Sequence, residues 1–390
     1  MSFYSLSRDA LPEMSSCTQL NLYVHFPFCR SKCAYCALRS RGGASVAERA
    51  AYAARLVNEL ERVAFGDGRD PDGTSPTVYF GGGTPALCDL RPVCAAVRKR
   101  FGAIGEFTVE LNPSDVTPAL LADLRAGGVN RISMGVQSLD DVALRAMGRP
   151  HTADEAEAAF RAIRAAGFGN AGFDLIAGWP GTTAESWGQT LARACALRPD
   201  HVSVYTLICE PETALDRAVR AGRVSLPDDE AALAQHDAAR AALASIGLAR
   251  YEVSNFAKPG FECRHNMSVW RGEDYVGLGD GAHGREGVRR TVGNGAGGYD
   301  VTVLTPEADA LERALFALRM AEGIDLAWTE RRWPVLGARR AAWRDELQAL
   351  VPHGIVRTDG RDRFALTDRG FQVCDAVISA IMSAGQETAA

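Results

Sequence analysis

Short β-rich runs alternate with longer, alanine-rich amphipathic stretches from residue 21 to about residue 208, and this alternation constrains the fold more than any other feature of the chain. The β-rich runs are apolar on both faces, as expected for strands that helices cover on both sides. The pattern predicts parallel βα units, which form either an incomplete TIM-like barrel or a doubly wound sheet. The predicted strands are 21–26, 77–83, 107–113, 130–136, 171–178 and 201–208, and the predicted helices lie near 46–65, 86–101, 117–127, 139–147, 153–167 and 184–197.

The placement of unusual residues separates these two folds. Three closely spaced cysteines, the glycines at 81–83, and the polar residues Glu110, Gln137 and Asp174 all lie at or just beyond the carboxyl end of a predicted strand. In a barrel these ends converge on one mouth, where catalytic groups collect. We therefore predict an α/β fold whose main unit is a partial (β/α)6 TIM-like barrel.

The rest of the chain predicts further units, because 390 residues exceed the length at which one core stops growing. The segment after the barrel is rich in glycine, asparagine and charged residues and is expected to be a loop. The last part predicts helices, a short hairpin with an Asp-Gly turn and a final helix, as in a small α+β winged-helix-like module. The predicted limits are 1–20 for an N-terminal arm, 21–256 for the barrel, 257–305 for the loop segment and 306–390 for the C-terminal domain.

The charge and the cysteine content exclude several classes of function. A formal net charge of -5 gives no general attraction to nucleic acid, so we expect no nucleic-acid partner. The sequence has neither a signal peptide nor an apolar run long enough to span a bilayer, which predicts a cytoplasmic protein. Ten cysteines are few for a disulfide scaffold of this length, and three of them crowd together.

Those three, Cys29, Cys33 and Cys36, follow directly on the first predicted strand. Three thiolates can ligate three irons of a cubane cluster, whereas electron-transfer clusters use four, so one iron would keep an open position. A zinc site is the alternative, and it would need a fourth ligand, for which His25 is the only local candidate. The spacing favours an iron–sulfur cluster.

At this point the chain resembles the radical SAM superfamily and, within it, the HemN/HemW group. The matching segments cover nearly the whole sequence: YVHFPFCRSKCAYC, FGGGTP, ELNPSDVT, RISMGVQSLDD, MGRPHT, FDLIAGWPG, YEVSNFAKPG, CRHNMSVW and GLGDGAHG. The resemblance implies a [4Fe-4S] cluster whose open iron chelates the methionyl group of S-adenosyl-L-methionine (SAM), and electron donation that cleaves SAM to a 5′-deoxyadenosyl radical.

The resemblance also implies which residues bind SAM. Consecutive glycines let backbone approach a ligand closely, so a branched side chain at Gly83 is expected to fill ligand space. An arginine suits the SAM carboxylate, and carboxylates suit its hydroxyl and ammonium groups. The implied SAM contacts are Tyr23, Tyr35, Gly82, Gly83, Thr84, Glu110, Gln137, Arg149, Asp174 and Ile208.

A second ligand is implied by the segment His265-Asn266-Met267-Ser268-Val269-Trp270, which resembles the H-N-x-x-Y-W signature of HemW proteins with Val269 in place of the tyrosine. A histidine in a flexible polar segment can be an axial ligand of haem iron, and an adjacent tryptophan can pack on the macrocycle. We therefore expect His265, Asn266 and Trp270 to bind haem.

A missing cysteine indicates which type of protein within this group the chain resembles. Coproporphyrinogen oxidases of this group carry one two residues after the third cluster cysteine, where this chain has Leu38. That favours a HemW-like haem chaperone, with haem or porphyrin, a flavodoxin or ferredoxin as electron donor and a haem-recipient protein as partners. Peripheral membrane association and the oligomeric state stay open. The alternatives are an oxygen-independent coproporphyrinogen III oxidase, which would be a SAM-cleaving oxidoreductase, and a HemN-like methylase or tailoring enzyme.

Overall fold

The structure is a computed structural model, and it describes residues 2–6, 21–63 and 75–384. Most of the predicted N-terminal arm and the final residues 385–390 lie outside the described residues. The strands are β1 Ser2–Leu6, β2 Asn21–Phe26, β3 Thr77–Gly82, β4 Glu106–Leu111, β5 Arg131–Gln137, β6 Asn170–Ala177, β7 His201–Thr206, β8 Ala249–Arg250, β9 Asn255–Ala257, β10 Val276–Leu278, β11 His283–Glu286, β12 Arg289–Gly293, β13 Tyr299–Val303, β14 Ile324–Asp325, β15 Val356–Thr358 and β16 Arg363–Leu366. The helices are α1 Val46–Arg62, α2 Arg91–Phe101, α3 Pro118–Ala126, α4 Asp141–Met147, α5 Ala153–Ala165, α6 Ala184–Ala196, α7 Ala214–Arg220, α8 Asp229–Ser245, α9 Arg264–Trp270, α10 Pro306–Phe316, α11 Leu326–Arg332, α12 Arg340–Ala349, α13 Asp368–Gln372 and α14 Cys374–Ser383.

The predicted parallel sheet is confirmed. Strands β2 to β7 pair in sequence order, each parallel to the next, and helices connect them. The helices begin where the sequence supplies caps: Ser45 and Thr152 each form a capping box with a glutamate three residues on. The described part of the chain thus contains a six-stranded partial barrel, and its strands end at one mouth.

Side chains alternate along these strands, and the alternation divides the barrel into two layers. Val24, Phe26, Val78 and Phe80 are fully buried in the main hydrophobic core together with α1 residues such as Leu56. Their neighbours on the opposite face point into the barrel interior and are largely polar or aromatic. A packed barrel fills this interior with branched apolar side chains, so a polar interior leaves room for ligands.

The segment 257–305 was expected to be a loop, and the structure corrects this. It contains helix α9 and the strands β10 to β13. Strand β10 adds to the barrel sheet in parallel with β2, and β13, β12 and β11 form an antiparallel sheet with β1. These strands are only three to five residues long and are separated by glycine-rich turns, so they carry too few residues for a visible period. Burying the open edge next to β2 satisfies backbone groups that would otherwise be unpaired.

The last part of the chain has its own hydrophobic cluster, in which Trp343, Leu347 and Phe364 are buried. The predicted hairpin is present as β15 and β16, and β14 adds a third antiparallel strand beside β16. This small α+β unit follows the partial barrel, as predicted. The boundaries at residues 256 and 305 remain predictions. No helix of the described residues combines the length and apolar character that a membrane crossing requires.

Candidate functional site

A cavity of about 530 Å³, here called the mouth cavity, lies at the carboxyl ends of the barrel strands. Its walls come from the loops after β2 to β7, which is where the sequence placed the unusual residues. The lining includes Cys29, Cys33, Tyr35, Cys36, Gly82, Gly83, Thr84, Glu110, Asn112, Gln137, Arg149, Asp174, Tyr205 and Ile208.

The three cysteines form one wall of the mouth cavity. The Arg149 guanidinium donates a hydrogen bond to Cys33 Sγ (3.3 Å), and Thr84 Oγ1 lies 4.0 Å from Cys29 Sγ. The thiolate is the form of cysteine that binds iron. Three thiols facing one cavity with these donors fit a cluster that leaves one iron open toward the cavity.

His25 is not arranged as the fourth ligand that a zinc site would need. Its Nε2–H donates to the carbonyl oxygen of Arg39 (2.8 Å), and its Nδ1 accepts from the hydroxyl of Tyr23 (3.1 Å). Both ring nitrogens are therefore committed to other partners. His25 lines a different cavity from the cysteines.

The glycine run after β3 permits close approach between backbone segments. Gly82 has φ of +105°, and a Cβ atom there would lie 2.5 Å from the His25 ring. A Cβ atom at Gly83 would lie 2.6 Å from the carbonyl oxygen of Phe28 and 3.0 Å from Cys29 Sγ. The expectation that a side chain at Gly83 would fill ligand space is therefore corrected: it would first collide with the segment that carries the cysteines.

Two carboxyl groups face the mouth cavity. The Tyr79 hydroxyl and the Gly82 amide donate to Glu110 at 2.8 Å and 3.1 Å. Desolvation, followed by repulsion from Asp174, raises the pKa of Glu110 to about 7, and burial also raises the pKa of Asp174. Such carboxyl groups gain from a ligand that brings hydroxyl or ammonium donors.

Arg149 is held beside the cysteines by Asn112 and the backbone of β5. The guanidinium donates to Asn112 Oδ1 (2.7 Å) and to the Gly135 carbonyl (2.5 Å), while Asn112 Nδ2 donates to Thr84 Oγ1 (3.0 Å). Gln137 ends β5 with φ of 70° beside an irregular step in the strand pairing. A left-handed backbone is uncommon for a residue other than glycine and is typical of functional sites.

Nine of the ten predicted SAM contacts line the mouth cavity, and Tyr23 does not. Sequence reasoning missed Asn112 and Tyr205, although both obey the same strand-end rule: Asn112 directly follows β4, and Tyr205 is the next-to-last residue of β7. Ile208 lies at the rim with 68 % of its surface exposed.

A second cavity of about 730 Å³, here called the inner cavity, adjoins the mouth cavity. Glu110 and Tyr205 line both, as do Ala37 and Leu38. Its other walls are the barrel interior, helix α9 and the segment around β10 to β12. The lining includes Tyr23, His25, Tyr79, Glu252, Asn255, His265, Asn266, Val269, Trp270, Tyr275, His283 and Val292. All three predicted haem residues are thus brought to one cavity.

His265 was expected in a flexible polar segment, and the structure corrects that expectation. The residue lies in α9 and is buried. Its ring packs beside Tyr79 and Tyr23 at centroid distances of 5.4 Å and 6.4 Å, and its Nδ1 lies 3.0 Å from Thr77 Oγ1. Desolvation lowers the pKa of His265 to about 4, so the imidazole is neutral at physiological pH.

Trp270 closes the other end of α9. Its Nε1–H donates to Glu252 Oε2 (2.7 Å), and its ring makes an edge contact with Phe316. The three histidines of the inner cavity are electrically similar, because burial lowers the pKa of His25 and His283 as well. The inner cavity therefore combines aromatic rings and neutral imidazoles with the carboxyl groups of Glu110 and Glu252.

Comparison with known proteins agrees with this geometry. Residues 23–194 match the family model of the radical SAM superfamily, which implies a [4Fe-4S] cluster and SAM as cofactors. The chain is 36% identical over 384 residues to the heme chaperone HemW of Mycobacterium tuberculosis, covering 93% of this chain and 94% of that protein. It is also 36% identical to HemW of Bacillus subtilis, over 70% of this chain and 73% of that protein.

Among solved structures, the coproporphyrinogen III oxidase HemN of Escherichia coli superposes with a TM-score of 0.77 over 96% of this chain and 92% of that one, at 24% identity. At this identity the likeness establishes the fold alone. The sequence relatives are more informative, since one of them matches at 36% identity along almost its whole length. The chain belongs to the HemW family of radical SAM proteins.

Proposed function

We propose that this protein is a haem chaperone that holds a [4Fe-4S] cluster and SAM at the mouth cavity and haem in the inner cavity. The observation that carries the proposal is the inner cavity itself, in which His265, Asn266 and Trp270 share one wall. Haem binding by family relatives is indicated by the name heme chaperone HemW.

The mouth cavity offers groups suited to both cofactors. Cys29, Cys33 and Cys36 would hold the cluster, which supplies one-electron reduction of SAM when it is bound. Arg149 would pair with the SAM carboxylate, and Glu110 and Asp174 would accept hydrogen bonds from its hydroxyl and ammonium groups. Tyr35, Gly82, Gly83, Thr84, Gln137 and Ile208 would complete the SAM site.

The inner cavity suits a flat aromatic ligand with a metal ion. Its volume lies in the range of small-molecule and cofactor sites, and its walls combine tyrosine and tryptophan rings with histidines and other polar groups. His265 would be the axial ligand of the haem iron, since a neutral imidazole is the ligating form. Trp270 would pack on the macrocycle, and Asn266 would supply a polar contact beside it.

The partners follow from this function. We propose a flavodoxin or ferredoxin as the reductant of the cluster and a haem-requiring protein in the cytoplasm as the recipient. Exposed Leu38 and Ile208 lie at the rim of the mouth cavity, so the cofactor region is accessible to a partner surface.

One observation favours a second candidate, a SAM-cleaving enzyme such as a coproporphyrinogen III oxidase or a tailoring enzyme. Glu110 and Tyr205 line both cavities, so a molecule in the inner cavity would lie next to SAM. The residue at position 38 opposes the oxidase, because it is leucine rather than the cysteine that oxidases of this group carry.

The test incubates the anaerobically reconstituted protein with haem and, separately, with coproporphyrinogen III and SAM. The chaperone predicts a stable haem complex with its own Soret band and no decarboxylation of the porphyrinogen. Turnover to protoporphyrinogen IX without stable haem binding would show that the protein is an oxidase and not a chaperone.

A further inference from the structure

We propose that Thr77 and Asn21 are positioning residues for His265, and that they fix its imidazole in the tautomer whose bare Nε2 serves the inner cavity. The inference rests on the proposed function for its consequence in haem binding. The hydrogen-bond pattern that carries it is independent of any ligand.

The three side chains form a buried row at the end of the barrel opposite the mouth. Asn21 begins β2 and Thr77 begins β3, and the two residues face each other in the parallel pairing of these strands. Thr77 Oγ1 lies 2.7 Å from Asn21 Oδ1 and 3.0 Å from His265 Nδ1. Asn21 Nδ2 lies 3.2 Å from the carbonyl oxygen of Asp274.

The donor and the acceptor of each hydrogen bond in this row can be assigned by starting from the Asp274 carbonyl. The Asp274 carbonyl can only accept, so the Asn21 amide must turn its NH2 group toward that carbonyl and its oxygen toward Thr77. The Thr77 hydroxyl has one proton, and it donates this proton to the Asn21 oxygen. Thr77 Oγ1 is then an acceptor toward His265, whose Nδ1 must carry the proton.

The opposite assignment fails on the same contacts. Turning the Asn21 amide over would place its oxygen against the Asp274 carbonyl, two acceptors at a hydrogen-bond distance. Asn21, Thr77 and His265 are themselves buried, which raises the cost of leaving their polar atoms without partners. The structure therefore favours a single tautomer of His265.

The backbone of His265 is fixed independently by Glu106, which begins β4. Its carboxyl oxygens accept from the backbone N–H groups of His265 (3.0 Å) and Arg264 (2.9 Å) at the start of α9. A carboxyl group at a helix start satisfies donors that have no partner within the helix. Glu106 sets the position of the residue, and Thr77 sets the direction and protonation of its ring.

The consequence lies at the other ring nitrogen. Among the described residues, His265 Nε2 makes no hydrogen bond, and the side chain lines the inner cavity. A neutral imidazole with Nδ1–H anchored and Nε2 bare is the form that ligates a metal, and such an anchor commonly changes metal affinity 10–100-fold.

The first experiment needs no ligand. Selective 15N labelling of histidine and a long-range proton–nitrogen correlation at pH 7 report the tautomer of each imidazole, and a His265→Gln variant identifies the signal. We expect the Nδ1–H tautomer in the wild-type protein. An Nε2–H tautomer, or an exchanging mixture, would overturn the proposal whether or not the protein binds haem.

The second experiment adds haem and compares Thr77→Val, Thr77→Ser and Thr190→Val. The serine keeps the hydroxyl, and Thr190 is a buried threonine of α6 that lines neither cavity. Thr77→Val should weaken haem binding about 10–100-fold and shift the Fe–His stretching band of the ferrous complex, while the other two should match the wild type. An unshifted band in Thr77→Val would show that the row of Asn21, Thr77 and His265 does not influence the haem iron.

The two proposals fail separately. If His265→Gln binds haem with an unchanged spectrum, His265 is not the ligand and the haem site proposed above is wrong. The tautomer measurement still decides whether Thr77 and Asn21 position the His265 ring. If His265→Gln loses the band and Thr77→Val keeps it, haem binding stands and the positioning role falls.

Discussion

The mouth cavity and the inner cavity share a wall, yet they are built by different means. The mouth cavity is assembled from residues at the ends of successive parallel strands, so each contributor lies next to a predictable strand end. The inner cavity joins the barrel interior to α9 and to the β10–β12 region, which are far away in sequence. The first kind of site follows from local pattern, and the second depends on how distant segments pack.

The two cavities also differ in their polar groups. Arg149 and Asp174 line the mouth cavity alone, whereas Glu252 and three histidines whose pKa values burial lowers line the inner cavity alone, and Glu110 lines both. Groups of opposite charge suit a zwitterionic ligand such as SAM, whereas neutral imidazoles among aromatic rings suit a planar metal complex. Separate substitutions should therefore affect the two ligands separately.

The largest effect is expected from the triple change Cys29/Cys33/Cys36→Ala. The variant should lose essentially all of the about four irons of the reconstituted protein, because no thiolate ligand of the cluster is left. Iron analysis and the visible absorption spectrum measure this. Cys88→Ala, a buried thiol outside both cavities, is the control and should keep its iron. Full iron content in the triple variant would show that these three cysteines do not hold the cluster.

The next effect concerns the inner cavity alone. His265→Ala should shift or erase the Soret band of the haem-loaded protein and weaken haem retention on the order of tenfold or more, since the axial ligand is lost. Iron–sulfur content should stay unchanged, because the cysteines belong to another segment. His353→Ala, an exposed histidine of the C-terminal unit, is the matched control. Loss of cluster iron in His265→Ala would contradict the separation of the two sites.

A third effect, on stability against pH rather than on a ligand, is expected from Glu110→Gln. The pKa of Glu110 rises from 4.5 to about 7 on folding, so the folded state binds this proton more tightly than the unfolded state. The contribution of Glu110 to the free energy of unfolding is therefore fully present below the unfolded pKa. It is lost as the pH rises through the folded pKa, and the loss amounts to at most about 3 kcal/mol.

Urea unfolding of the ligand-free protein between about pH 4.5 and 7.5 measures the effect of Glu110→Gln. The variant should show a flatter profile than the wild type, and Glu61→Gln, an exposed carboxyl group, should follow the wild type. Parallel profiles for wild type and Glu110→Gln would show that this carboxyl group is not perturbed.

The smallest effect is expected from Trp270→Phe. The change keeps an aromatic ring and removes the N–H that donates to Glu252, which leaves a buried carboxyl group without that partner. The lost hydrogen bond should cost folding stability on the order of 1 kcal/mol. Haem affinity should change less than in His265→Ala, because an aromatic ring remains to pack on the macrocycle. Haem titration tests this, with Trp328→Phe as the control on the exposed surface of the C-terminal unit. A loss as large as that of His265→Ala would give Trp270 a more direct role than ring packing.

The sequence by itself determined the parallel βα pattern, the cysteine segment and most of the mouth cavity. These follow from local spacing: hydrophobic runs predict strands, and a strand end fixes where its next residues lie. Gln137 closes β5 and Glu110 nearly closes β4, as expected, whereas the expectation that Asp174 lies at a strand end is wrong, because three further residues of β6 follow it. Asn112 and Tyr205 were available from the same rule and were missed.

Only the tertiary structure decided the inner cavity. Tyr23 lies two residues before His25 in β2, and at about 3.3 Å per residue it lies deeper in the barrel than the mouth cavity reaches. His265 lies at the start of a helix, where Glu106, more than 150 residues earlier, accepts its backbone N–H. From sequence alone, a polar segment such as this one indicates a loop. Hydrogen bonds to a distant segment leave no period in the sequence, so the burial of this segment against the barrel could not be predicted.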